Sequence, residues 1–405
     1  MKYCSPVKLN PLGILNFAAF WQYQRLVMPI SFLFYLYNGL KFTDFILCQS
    51  LYSAACLIGK IITGALGDLF SKKKILITAY LLFLFRVVLW INFEGFWIIL
   101  AGEILYGLFK ALYRGNVDSY IYEYLESENM TSDMASKYGK LSFYTSLGSA
   151  VSCFAGVILY KFFGFKTILY AELVFQIIAV TALMFLPDIK HSDKVSSYPF
   201  EFIKTALSSI KSLLLNFRVN FFVYYSALLN GLTSVFVWNF QPLLKISSAP
   251  VIYYGVVNFI NQILRAGGAL FAHRFIKNIK PYALINVVYL SVALSFGLLI
   301  CGYIFKNYLL ILLFLIIICI VIFMFVVFNI FSVAKVHENT KDFNRASTSS
   351  VYTFCDDFMS FFLLLNFKFL YDKIGILNSL VVFLVIAAVF LLPVLGKKAC
   401  ALQDC

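Results

Sequence analysis

The chain has 405 residues, of which 62% are hydrophobic and only 13% are charged. A soluble domain carries roughly 25% charged residues, so lipid is a better solvent than water for most of this surface. The net charge of +14 comes from basic residues that stand between apolar runs. This distribution indicates membrane topology and argues against a nucleic-acid-binding face.

Apolar runs recur along the whole chain, and a spanning helix needs about 20 mostly apolar residues. The runs predict an all-α membrane protein with twelve transmembrane helices, at residues 12–37, 44–69, 75–93, 96–122, 139–160, 166–187, 219–243, 252–273, 281–303, 307–334, 347–370 and 375–395. No small-residue cleavage site follows the first run, which we therefore expect to be a retained helix.

Basic residues set the expected orientation. With the N-terminus in the cytoplasm, the inner loops and tails hold about 20 lysines and arginines, and the outer loops hold about six. We therefore expect both termini to be cytoplasmic. The polar stretch 188–218 contains an amphipathic run from Phe200 to Leu215, which predicts a cytoplasmic linker with an interfacial helix. It separates an N-terminal six-helix bundle at 1–187 from a C-terminal one at 219–405.

Two short patterns occur once in each half. Gly64-Ala65-Leu66 near the end of helix 2 matches Gly268-Ala269-Leu270 near the end of helix 8, about 204 residues later. Leu159-Tyr160-x-x-x-Gly164 after helix 5 matches Leu370-Tyr371-x-x-x-Gly375 after helix 11, about 211 residues later. The similar offsets, close to half the chain, predict two parallel repeats related by an axis along the membrane normal.

The loop after helix 2 resembles the signature G-x-L-A-D-R-x-G-R-K of the major facilitator superfamily. The matching positions are Gly64, Leu66, Asp68, Lys72 and Lys73, and the departures are Leu69 for Arg and Ser71 for Gly. Gly64 and Gly67 would permit close helix contact. The resemblance implies that Asp68 faces the N-terminus of helix 11, whose dipole favours an anion, while the lysines meet anionic headgroups.

The end of helix 4, from Arg114 to Glu123, is similar to the S-G-x-x-x-A-L-I-Y-D segment of many bacterial major facilitator proteins, and we group Asp118 with the conformational motif. The resemblance implies a central cavity between the bundles, a binding site near the midplane and alternating access. Helix 5 contains Gly148 and Gly156 but lacks the Pro that drug–proton antiporters carry there. This difference disfavours the drug-exporter alternative.

Polar and basic side chains inside the membrane need a partner or water, because burying them is costly. Those predicted to bind substrate are Arg25 and Gln22 on helix 1, Lys110 and Arg114 on helix 4, Asn230, Trp238 and Gln241 on helix 7, and Asn261 and Arg265 on helix 8. Structural roles stay open: Arg25 at the interface, Arg114 paired with Asp118 or Asp68, and packing for Trp238.

The acidic candidates for proton coupling are Glu103, Asp356 and Asp357. Asp356 and Asp357 are neighbours on a helix and point about 100° apart. We expect one to pair with Arg265 or Arg25 and the other to carry a proton, because burial favours the neutral carboxyl group. Arg86 is expected to snorkel to a headgroup.

Other functional classes find little support. The sequence has no Walker loop, no metal-spaced His/Cys/Asp cluster and no Ser-centred nucleophile motif. We therefore predict a non-enzymatic, cofactor-free monomer in a bacterial inner membrane. It would transport a small organic solute, anionic or zwitterionic, with a proton or other coupling ion. A proton-driven exporter, a uniporter and a non-transporting receptor remain alternatives.

Overall fold

The computed structural model describes residues 10–130, 133–189, 217–278, 281–338 and 345–395. These ranges are almost entirely helical and contain no β-strand. The elements are α1 Pro11–Gln22, a 3₁₀ turn Met28–Ile30, α2 Ser31–Tyr37, α3 Phe42–Leu69, α4 Lys72–Asn92, α5 Phe96–Ser127, α6 Met134–Met184, α7 Phe217–Ile246, α8 Ile252–Asn278, α9 Pro281–Phe305, α10 Tyr308–Glu338 and α11 Arg345–Leu395. The interfacial helix predicted at 200–215 lies outside the described residues.

Glycine divides each of the two longest helices into two spans. α6 and α11 have 51 residues each, so an unbroken helix would be about 76 Å long, more than twice the thickness of the hydrocarbon core. Gly164 breaks α6 at φ 77°, ψ −176°, and Gly375 breaks α11 at φ 77°, ψ 174°. The matched conformations agree with the repeat that the sequence predicts at these two glycines.

The described helices are consistent with twelve passes through a membrane. Seven segments, including α6 and α11, satisfy the length and apolarity of a span within the described residues. Because α6 and α11 are each divided, these seven segments would supply nine passes. The other three would be α7, α8 and the span formed by α1, the 3₁₀ turn and α2 together. The chain is an integral, multi-pass membrane protein.

The prediction of one continuous helix at 12–37 is wrong. α1 ends at Gln22, and the chain from Tyr23 to Val27 is not helical before the 3₁₀ turn begins. Pro29 explains the interruption, because proline has no N–H to donate and its ring clashes with the carbonyl four residues earlier, that of Arg25. We call Tyr23–Val27 the helix-1 break.

The packing brings the two halves of the chain together. α1 and α4 pack on α6, α3 packs on α11, and α6 packs on α8. The last contact is very close at Gly255, where a Cβ would meet the Cys153 carbonyl. We call the side of the membrane that carries Lys72 and Lys73 the basic side. Because short loops make successive spans alternate, Gly39 and Gly95 lie in loops on the opposite side.

Replacing Gly164 with alanine should destabilise the fold. Its backbone conformation is essentially restricted to glycine, so Gly164→Ala should cost about 1–3 kcal/mol and lower the melting temperature in detergent. Gly297→Ala is the matched control, because this glycine is helical and a Cβ there meets nothing within 4 Å. Equal melting temperatures for both variants would contradict the prediction.

Candidate functional site

Gln241, near the end of α7, joins the two halves on the side opposite to the basic side. Its Oε1 accepts hydrogen bonds from the Phe32 N–H at 2.9 Å and the Ser31 hydroxyl at 3.3 Å. Its Nε2 donates to the Met28 carbonyl at 3.2 Å. The side chain is 2% exposed, so no water competes for these bonds. They fix α7 to the segment that follows the helix-1 break.

Further contacts complete the closure on this side. Trp238 packs against Phe45 of α3 with ring centroids 5.7 Å apart and an interplanar angle of 79°. Asn258 of α8 donates to the Pro29 carbonyl at 3.4 Å. The described conformation is therefore closed on the side opposite to the basic side.

A cavity of about 290 Å³ lies between the halves toward the basic side. This volume is close to the lower end of the range for small-molecule sites. The helix-1 break, the second half of α5, the beginning of α6 and the middle of α8 and α10 contribute its walls. The lining residues are Tyr23, Tyr113, Arg114, Val117, Asp118, Tyr138, Leu141, Ser142, Thr145, Ser146, Ser149, Gln262, Arg265, Ala266 and Val326.

Two arginines from opposite halves line this cavity. Arg114 comes from α5 and Arg265 from α8, and both side chains are exposed to it. Neither forms an ion pair within the described part of the chain. Asp118 lies one turn after Arg114 and shares the cavity, and its Oδ1 has no hydrogen-bond partner there. Two like charges beside one carboxylate leave the site with an excess positive charge.

Arg25 lies in the helix-1 break, inside a cage of aromatic rings. Its guanidinium donates to the Tyr106 hydroxyl and stands 4.3 Å from the ring centroid of Tyr23, which lines the cavity. Phe83 and Phe109 lie at 5.3 and 5.4 Å. Arg25 is half-buried, and cation–π attraction strengthens as a cation loses water. Arg25 is thus adjacent to the cavity wall and not at the membrane interface.

Glu103 belongs to a buried cluster in the N-terminal half. Arg86 donates to Glu103 at 3.2 Å and lies 3.9 Å from Glu172 of α6. All three residues are buried. The expectation that Arg86 snorkels to a headgroup is therefore wrong, because two carboxylates hold it inside the bundle.

Asp357 pairs with Lys60, a basic residue inside the apolar helix α3. The Lys60 ammonium lies 2.5 Å from Asp357 and donates to the Thr353 carbonyl at 2.8 Å, joining α3 to α11. The predicted pairing of one aspartate with Arg265 or Arg25 is wrong. Asp356 is 9% exposed, and its Oδ1 has no hydrogen-bond partner among the described residues.

Several other residues predicted to bind substrate are not among the residues that line the cavity. Gln22 is fully buried with an unpartnered side-chain amide, and Asn261 is 9% exposed. Asn230 donates to the Asp356 carbonyl at 3.2 Å and to the Ser360 hydroxyl at 3.1 Å. Lys110 stands 5.1 Å from the ring of Tyr52.

The motif loop after α3 is described in part. Gly64, Gly67 and Asp68 lie in α3, but their side-chain surroundings fall outside the described residues. Lys73 of α4 donates to the Met184 carbonyl at 3.0 Å, while Lys72 is half-buried beside it. This bond joins the motif loop to the end of α6 on the basic side.

Sequence reasoning missed two groups. The cavity hydroxyls Ser142, Thr145, Ser146 and Ser149 have the spacing of one helix face, a polar stripe that could have been found in an apolar run. Glu172 is the other, and a lone carboxylate inside a spanning segment is itself a functional signal.

Comparison with known proteins matches these features to a family. The family model described as Major Facilitator Superfamily matches residues 12–364. The chain belongs to the major facilitator superfamily. This match confirms the family resemblance that the motif loop indicated. Members of this superfamily are membrane transporters. No curated protein sequence matches the chain significantly.

Solved structures of superfamily transporters share the fold. The nucleoside transporter NupG superposes with a TM-score of 0.75 at 16% identity, covering 95% of this chain and 97% of that one. A POT family transporter in complex with 5-aminolevulinic acid gives 0.75 at 14% identity and covers 95% of each chain. A peptide transporter POT gives 0.74 at 12% identity, covering 97% of this chain and 95% of its own. At these identities the likeness establishes the fold alone.

Replacing Gln241 should open the closed side. Gln241→Leu removes three buried hydrogen bonds between the halves, each worth about 0.5–1.5 kcal/mol, and should favour the alternative conformation at least tenfold. A cysteine at Phe45, which is fully buried in the closed state, would report the change through its alkylation rate in a background whose nine native cysteines are replaced by serine. Asn366→Leu is the control, because Asn366 bonds only within its own helix. An unchanged rate in Gln241→Leu would mean that these bonds do not hold the closure.

Proposed function

We propose that the chain is a proton-coupled secondary transporter of a small organic anion or zwitterion. The observation that carries the proposal is the meeting of Arg114 and Arg265 in one cavity, where neither forms an ion pair with a residue that the structure describes. Two uncompensated cations in a partly desolvated site are costly until an anion neutralises them. A carboxylate or phosphate group would bind both arginines with charge-assisted hydrogen bonds.

Asp118 and the hydroxyl groups of α6 indicate which other polar groups the ligand would carry. Asp118 offers an acceptor to an ammonium or hydroxyl group, which favours a zwitterion as much as a simple anion. Tyr23, Tyr113 and Tyr138 supply apolar faces with polar tips. The 5-aminolevulinic acid in one structural neighbour has both an amino and a carboxyl group, which makes it a suitable member of a test panel.

Alternating access supplies the transport cycle in this proposal. Residues 1–187 and 219–405 would move as two units joined by the linker at 188–218. Because Arg114 belongs to one unit and Arg265 to the other, a bound anion would join the two units and lower the cost of bringing them together. The positive-inside bias places the basic side in the cytoplasm, so the described conformation would be inward-facing.

The proposal includes coupling to protons and a bacterial inner membrane as the location. Asp356 supports proton coupling, because it is a buried carboxyl group next to the Lys60–Asp357 pair and forms no ion pair itself among the described residues. The protein would release the solute chemically unchanged, because it would act as a transporter and not as an enzyme. The protein would work as a monomer, since one chain supplies both arginines.

Flux into proteoliposomes tests the proposed solute class. Organic anions, zwitterions including 5-aminolevulinic acid, a nucleoside, a dipeptide and amphipathic cations would be offered together under an imposed pH gradient and read by mass spectrometry. We expect the anions or zwitterions to move, and Arg265→Ala to reduce their flux by at least about tenfold through loss of a charged hydrogen bond.

Two variants control this experiment. Arg265→Lys keeps the charge and should retain part of the flux, whereas Lys161→Ala removes an exposed charge far from the cavity and should change nothing. Movement of amphipathic cations alone would favour the exporter, solute movement without any response to pH would favour a uniporter, and binding without flux would favour a receptor.

The two aspartates of α11 should behave differently. Asp356→Asn should abolish acceleration by the pH gradient while solute exchange at equal pH continues, because the neutral amide can no longer bind and release a proton. Asp357→Asn should instead lower the melting temperature, because Lys60 would lose its counter-charge in the membrane. A gradient response retained in Asp356→Asn would remove Asp356 from the coupling mechanism.

A further inference from the structure

Glu172 has a role that the transport proposal has not used. It lies on the second span of α6, is 1% exposed, and accepts a hydrogen bond from the Val27 N–H at 3.2 Å. Val27 is the last residue of the helix-1 break, so this N–H makes no regular helical bond. A carboxylate from another helix thus satisfies backbone that has lost its helix, as lipid cannot.

The ionisable groups near Glu172 come from the helix-1 break, α4 and α5. Arg86 of α4 lies 3.9 Å away and also bonds Glu103 of α5. Arg25, in the helix-1 break, donates to the Tyr106 hydroxyl, and its charge interacts with that of Glu172. The close approach of α8 to α6 at Gly255 lies on the first span of α6.

The helix-1 break connects this cluster to the substrate cavity. Tyr23 begins the break and lines the cavity, and Arg25 stands over its ring at 4.3 Å. Val27 ends the break at Glu172, within five residues of Tyr23. A change in the charge of Glu172 alters both the Val27 hydrogen bond and the field at Arg25, and so acts on the cavity wall through one short segment.

We infer that Glu172 is a positioning residue that couples its own protonation to the conformation of the cavity wall. As a carboxylate, it would hold Val27 and balance the two arginines. On binding a proton at a carboxylate oxygen, it would become neutral, the Val27 bond would weaken, and Arg25 and Tyr23 would be free to move toward the solute. The inference rests on the proposed function and adds a proton site in the N-terminal half to that of Asp356.

Hydrogen–deuterium exchange of the break, together with transport, tests this inference. In the purified wild-type chain, exchange at 23–28, corrected for its intrinsic pH dependence, should accelerate in acid. Glu172→Gln mimics the protonated carboxyl and should exchange about tenfold faster than the wild type at neutral pH, with no further response to acid. Glu172→Asp keeps the charge and should keep the acid response.

Glu103→Gln is the matched control, because Glu103 shares Arg86 with Glu172, whereas the Val27 N–H donates to Glu172. It should retain the wild-type acid response. In proteoliposomes, Glu172→Gln should retain solute exchange at equal pH and lose at least about tenfold of gradient-driven uptake.

A Glu172→Gln profile that follows the wild type across pH would overturn the inference and leave a structural role alone. The outcome is separable from the proposed function, because exchange at 23–28 needs no solute. If no solute moves but the break responds as expected, the transport proposal fails and the role of Glu172 stands. If solutes move but exchange at 23–28 does not respond to acid, the transport proposal stands and the role of Glu172 fails.

Discussion

Lipid offers no hydrogen bonds, and this one constraint organises the polar residues of the protein. Pro29 interrupts the first helix, so the backbone after Gln22 loses regular helical partners in the middle of the membrane. A side chain from another helix replaces one of those partners, since Glu172 accepts a hydrogen bond from the Val27 N–H. The side chain of Arg25 in turn donates to the Tyr106 hydroxyl. The break is therefore affordable only where α4, α5 and α6 surround it.

The same constraint separates two kinds of charge. Arg86 lies between Glu103 and Glu172 inside one half, where attraction offsets part of the cost of desolvation. Arg114 and Arg265 form no ion pair in the part of the chain that the structure describes, and they face a cavity between the halves. The paired charges stabilise the bundle, whereas the two cavity arginines favour the binding of an anionic ligand.

The contacts between the halves are of a kind that can separate. On the closed side they are the neutral hydrogen bonds of Gln241 and the packing of Trp238 on Phe45. Neutral hydrogen bonds contribute about 0.5–1.5 kcal/mol each, an amount that a bound solute can outweigh. Among the described residues, a charged contact between the halves is made by the Lys60–Asp357 pair, which joins α3 to α11. Such an interface suits a protein that must close and open in turn.

The sequence by itself determined the class, the span pattern and part of the site. Apolar runs and the recurring glycines are local properties, so the twelve spans, the paired positions of Gly164 and Gly375 and the family resemblance could be predicted from it. Arg114 and Arg265 could be proposed because an ionisable residue in an apolar run always needs a reason.

Only the tertiary structure decided which charge meets which. Glu172 and Val27 are 145 positions apart in the chain, and Lys60 and Asp357 lie in different halves. Helix periodicity gives the face of a residue but not the neighbour of that face, so the partners of Arg86 and Asp357 were predicted wrongly. The cavity arises between α5, α6 and α8, and no single segment contains the information that these helices meet there.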